Sequence, residues 1–136
     1  MSKENIDLYK RVTSALNTHE ISDELADELL APDFHLENLS TAVTEKTYHG
    51  AEGLREWVSD TFEGLDDDTR YESEEILAEG DDFVVGRVHL VGHGARSGVP
   101  VTLRWVVVAW FQDGKMTRGA GYLSRREALE AVGLEM

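Results

Sequence analysis

Val101–Leu123, VTLRWVVVAWFQDGKMTRGAGYL, is the stretch whose reading decides the fold. It reads as two long strands joined by a tight turn. Val101–Phe111 is dense in β-branched and aromatic residues, and Asp113-Gly114 puts two residues that tolerate positive φ where a hairpin reverses. Odd positions Val101, Leu103, Trp105, Val107, Ala109 and Phe111 are all apolar, whereas the even positions begin polar (Thr102, Arg104) and end apolar (Val106, Val108, Trp110). Alternate strand residues face opposite sides, so one face is predicted to be core throughout and the other dry over part of its length. Such a strand needs a cover on each side: helices on one, and a second copy of the chain on the other. The apolar row Val106, Val108, Trp110 therefore predicts a homodimer.

Upstream, Tyr71–Ala78 and Phe83–His93 read as strands flanking the turn Glu79-Gly80-Asp81-Asp82, and Gly94–Gly98 as a connection before Pro100. Ile6, Tyr9, Val12 and Leu16 stand at helical spacing within Asn5–Leu16. A second helix is predicted from the N-cap Ser22 through Leu25, Leu29 and Leu30, stopped by Pro32. Phe34–Glu37 alternates like a short strand, and Asn38–His49 reads as a loop or short strand. After Gly50, Leu54, Trp57, Val58, Thr61 and Phe62 form the apolar stripe of a third helix, ended by the acidic turn Leu65–Thr69. Ser124 and Glu127 fit a capping box opening a terminal helix, with Gly133 as its C-cap.

With 136 residues the chain has material for one domain, 1–136. Its 27 acidic residues against 13 basic ones give a net charge of −14. Ten of those acids fall within Glu63–Asp82, beside the single base Arg70. Such a surface repels phosphate, so neither nucleic acid nor an anionic membrane is an expected partner. The plain alternative is a solubility device. No cysteine is present, which excludes disulfides, zinc-thiolate sites and thiol nucleophiles. The charged start MSKENIDLYK lacks the apolar core of a signal peptide, and the longest apolar run, Trp105–Phe111, is too short to span a bilayer. A cytoplasmic location is the expectation.

The predicted order is α-α-β-α, four long antiparallel strands and a terminal helix. Within it stand Tyr48-His49-Gly50 at the third helix, Glu79-Gly80-Asp81 before a long strand, Phe111-Gln112-Asp113-Gly114-Lys115-Met116 running into Tyr122, and the tail Glu127-Ala128-Leu129-Glu130-Ala131-Val132-Gly133-Leu134. Over nearly its whole length the chain resembles the SnoaL-like branch of the nuclear transport factor two-like (ketosteroid isomerase-like) superfamily. The resemblance implies a cone-shaped α+β fold: a curved antiparallel sheet wrapped around a long helix, with two N-terminal helices and a short C-terminal one. It also implies an apolar interior for a small molecule and dimers paired through the outer sheet face. Function stays open, because the fold hosts isomerases, cyclases, dehydratases, epoxide hydrolases and non-enzymes.

Matched to ketosteroid isomerase-like members, the general-base aspartate falls at Asn38, which cannot accept a proton. The oxyanion tyrosine falls at Val12, and the neighbouring acid falls on Val101–Phe111, which has no carboxylate. The acid of cyclase-like members falls at Ser124, which helix capping with the partner Glu127 explains instead, and this weakens the cyclase reading. The remaining candidates for proton transfer are His35, Glu37 and Tyr122. His35 and Glu37 share a strand face, where they form either a base with its orienting carboxylate or a solvated rim pair. Val12, Asn38, Trp57, Phe62, Trp105 and Ala120 are the candidate pocket lining, with Tyr9 beside them. Gly119, Ala120 and Gly121 are small enough to leave room, or to permit a close backbone approach. A pocket of about 300–1,000 Å³ is expected for such a site.

No metal or cofactor signature is present. The histidines are His19, His35, His49, His89 and His93, and His89 and His93 lie about 13 Å apart along one strand, too far to share an ion. Two readings result. One is proton-transfer chemistry of isomerase, cyclase or hydratase type on a small, largely apolar molecule. The other is a non-catalytic ligand-binding or dimerising interaction domain.

Overall fold

A computed structural model of the chain describes residues 2–18, 20–37 and 47–134. The elements run α1 (Ser2–Leu16), α2 (Asp23–Leu29), β1 (Leu30–Glu37), β2 (Thr47–His49), α3 (Gly50–Phe62), β3 (Arg70–Glu79), β4 (Phe83–His93), β5 (Pro100–Gln112), β6 (Lys115–Tyr122) and α4 (Arg125–Ala131). His19 and Asn38, both named above, lie outside the described residues.

The strands form one curved, unclosed sheet in the order β2-β1-β6-β5-β4-β3. The β5–β6 turn is as the sequence predicts, with φ 53° at Asp113 and 79° at Gly114. One pairing departs from the wholly antiparallel expectation: β1 runs parallel to β6. Side-chain alternation identifies strands, but the direction of a distant partner is set by chain connection and has no such signature. Register shifts interrupt β3 twice, the β1–β6 ladder once and the β5–β6 ladder between Trp110 and Phe111. Bulges of this kind bend strands and raise local twist, which is how the sheet curves.

Pro32 does not end the second helix. The chain is already extended at Leu30 (φ −113°, ψ 140°), and Pro32 sits inside β1. Its missing N–H is tolerated because the ladder to β6 is broken between Leu30 and His35, and β2 pairs only with His35–Glu37.

The two faces of β5 are covered differently from the sequence expectation. Trp105, Ala109 and Phe111 join Tyr9 and Val12 of α1 and Leu54, Trp57 and Val58 of α3 in the main core. That face is not core throughout: Leu103 is 53% exposed. The reason is that β6 stops at Tyr122, opposite Val106, and leaves the start of β5 without a neighbour on that side. On the opposite face, Val106 and Val108 pack with Val85 against Ala128 and Leu129 of α4. Val108 is fully buried. The cover expected from a second subunit is thus supplied, over Val106 and Val108, by the chain's own terminal helix. Ser124 caps that helix by accepting from the Glu127 N–H at 3.2 Å.

Candidate functional site

α1 and α3 close against the concave face of the sheet and leave a cavity of about 60 Å³. This is far smaller than the expected 300–1,000 Å³, because large side chains fill the cone. Of the predicted lining, Val12, Trp57, Trp105 and Ala120 border the cavity, as does Tyr9. Phe62 is buried in the core at the end of α3 and does not line it. Asn38 lies outside the described residues.

The wall owes its shape to aromatic packing and to two glycines. Tyr71, the second residue of β3, stands edge-on to Trp57, with ring centres 5.7 Å apart and planes at 83°. It also meets Trp105 at 5.7 Å. A Cβ on Gly86 would fall 2.1 Å from the Tyr9 hydroxyl oxygen, so only glycine lets that phenol lie against β4. There Tyr9 and Ser73 share a hydrogen bond at 2.9 Å. At Gly119 a Cβ would come within 2.7 Å of Leu36 Cδ1 and 2.9 Å of Met116 Cε. Gly119 thus permits close packing of Leu36 and Met116, while Gly119, Ala120 and Gly121 also border the cavity.

Burial pushes the Tyr71 hydroxyl well above its ordinary pKa, with the neighbouring Tyr9 adding to the shift. Burial raises Tyr9 too, opposed by its bond to Ser73. Both are neutral O–H groups at pH 7 and unsuited to act as bases.

His35, Glu37 and Tyr122 are held elsewhere. His35 and Trp110 both register with Arg118, and Tyr122 registers with Val106 and packs in the cluster beneath α4. These residues share the sheet face opposite Trp105. His35 Nε2 and Glu37 Oε1 are 3.2 Å apart, so the expected pair is formed. Arg118 grips the same carboxylate through Nε (2.7 Å to Oε1) and Nη2 (3.2 Å to Oε2), and its guanidinium lies 4.2 Å over the Trp110 ring. The Arg118 hydrogen bonds hold Glu37 below the usual carboxylate range. Burial raises Tyr122. Glu37, at the end of β1, also borders the cavity and is the residue common to both places.

The sequence reading did not single out Arg118 or Tyr71. Tyr71 carried a usable signal, being an aromatic set directly before the acid-rich run Glu72–Glu75. Among the described residues no group of acids and histidines is arranged to hold a metal ion. His89 is instead taken up by Glu74 (2.6 Å) and Glu72 (3.2 Å), which raise its pKa, and His93 lies 3.4 Å from Asp66. No described helix is long and apolar enough to cross a membrane.

A curved sheet closed over two helices around an apolar cavity defines a nuclear transport factor two-like domain. Residues 9–119 match the SnoaL-like domain, and the chain belongs to that family. No curated protein sequence matches it. Solved structures agree on the fold. A protein from a soil-derived mobile gene cassette superposes with a TM-score of 0.72 at 15% identity, covering 96% of each chain. A putative hydroxylase from Streptomyces galilaeus gives 0.69 at 18% identity over 98% of each chain. A hypothetical protein with a ketosteroid isomerase-like fold from Catenulispora acidiphila, solved in complex with trimethylamine, gives 0.65 at 16% identity, covering 93% of this chain and 92% of that one.

Proposed function

We propose that this protein takes up a small, largely apolar molecule in the cavity between α1, α3 and the concave sheet face. The observation carrying this is a cavity walled by Trp57, Tyr71 and Trp105 inside an otherwise packed core. At about 60 Å³ the cavity exceeds the roughly 10–15 Å³ that a single water needs and falls far short of a drug-sized site, so it is sized for a compact molecule of few heavy atoms. That suits a ligand the size of the trimethylamine held by the Catenulispora acidiphila protein and excludes a steroid in this conformation. Methylenecyclopentane, with no polar group, is expected to change tryptophan fluorescence saturably, and Trp105→Ala to alter the titration. Failure of this probe, of other hydrocarbons of four to six heavy atoms and of the ketone cyclopentanone to saturate would sink the proposal.

Proton transfer is the second reading, favoured by one observation: Glu37 borders the same cavity as the phenol Tyr71. Against it, the Arg118 fork makes Glu37 a weak base. The test is exchange of the α-hydrogens of cyclopentanone for deuterium in heavy water, followed by proton NMR. Catalysed exchange should fall about 10²–10⁴-fold in Glu37→Gln. Exchange no faster than in buffer leaves a binding domain.

A homodimer paired through the outer sheet face belongs to the same proposal. With Val106 and Val108 under α4, its centre would be Trp110, half-buried beside an open groove lined by Asp33, His35, Gln112 and Arg118. Trp110→Glu should convert dimers to monomers in sedimentation. A wild-type protein monomeric at micromolar concentration rules the dimer out.

A further inference from the structure

We infer that the ligand of this cavity is an uncharged molecule carrying a hydrogen-bond acceptor, a small ketone or similar carbonyl compound, and that Tyr71 donates its hydroxyl hydrogen to it. The inference rests on the cavity reading above and deepens it. Tyr71 is only 5% exposed, yet among the described residues its hydroxyl has no hydrogen-bond partner. Tyr9, which also lines the cavity, is satisfied by Ser73, and Tyr48 by Asp60 at 2.9 Å. No sealed side-chain polar atom among the described residues lacks a partner. The free Tyr71 hydroxyl therefore touches open space, and the space Tyr71 borders is the cavity.

A buried O–H with nothing to bond is costly, and tyrosine hydroxyls inside proteins normally find a partner. Here the ring is fixed between Trp57 and Trp105, so it has little freedom to swing toward one. The surrounding chemistry narrows what it would bind. A phenol kept protonated offers a hydrogen, so the complement is an acceptor, and a protonated amine has none to give. An anion is disfavoured by the aromatic and aliphatic walls, by Glu37 at the margin and by the net charge of −14. The rest of the ligand must match those walls and be apolar. One carbonyl on a compact hydrocarbon body meets all of these conditions.

Cyclopentanone and methylenecyclopentane, six heavy atoms each and nearly equal in shape, separate the polar contact from apolar burial. Tyr71→Phe should weaken cyclopentanone about tenfold and leave methylenecyclopentane within about twofold, since only the ketone loses a hydrogen bond. Independently of any variant, the carbonyl stretch of cyclopentanone bound to the wild type should move to lower frequency than in a hydrocarbon solvent. Equal effects of Tyr71→Phe on both ligands, or an unshifted carbonyl band, would overturn the inference while leaving the cavity reading standing. So would binding of the hydrocarbon without the ketone. Binding of neither would overturn the cavity reading and this inference with it.

Discussion

Trp105→Ala is expected to lower the unfolding free energy by about 3–5 kcal/mol, the range for deleting a large buried aromatic side chain. Trp105 is 9% exposed and packs on Tyr71, which in turn packs on Trp57, so its loss opens the cavity where three aromatic rings meet. The spread within the range depends on how far the wall collapses. Tyr71 is held by β3 and Trp57 by α3, and each has other neighbours in the core, so collapse should be partial. Chemical denaturation with an unchanged m-value is the measurement. A loss below about 1 kcal/mol would mean that Trp105 is not part of a packed wall.

Val108→Asp should cost at least as much, about 4 kcal/mol or more, because it places a carboxylate in a site with no exposure. Its partners there are Val85, Ala128 and Leu129, so the expected consequence is release of α4 from the sheet. The effect should appear in a monomeric sample at any concentration, since the cover belongs to the same chain. If the variant keeps its stability and only its oligomeric state changes, the Val106–Val108 face is a subunit interface and α4 is not its cover.

Much of this architecture was legible in the sequence, and the reasons are local. Asp113-Gly114 announced its turn, Ser124 its cap, and the stripe Leu54, Trp57, Val58 its helix, since each depends on neighbours a few residues away. What stayed hidden depends on register. A two-residue turn closing Gln112 on Lys115 would, without interruption, set Trp110 opposite Thr117 and Trp105 opposite Tyr122. The observed shift between Trp110 and Phe111 sets Trp110 opposite Arg118 and Val106 opposite Tyr122. One inserted residue exchanges the faces of everything beyond it. It carries Tyr122 to the α4 side of the sheet and brings Arg118 over Trp110 and onto Glu37. The His35–Glu37 pair was readable from its spacing, but the face it occupies was not, because that follows from parallel pairing with β6. The small cavity was equally hidden, being a remainder left by side chains from five or more elements.

The three tryptophans allow the account to be tested in a single spectrum. Trp57 and Trp105 border the cavity, whereas Trp110 lies on the opposite sheet face under Arg118. In a nitrogen–proton correlation spectrum each indole N–H gives its own signal, assignable by single Trp→Phe replacements. Titration with cyclopentanone should shift the Trp57 and Trp105 signals along one saturable curve and leave Trp110 in place. A saturable shift confined to Trp110, with Trp57 and Trp105 unmoved, would contradict a binding site in the cavity and place it on the outer face with His35, Glu37 and Arg118.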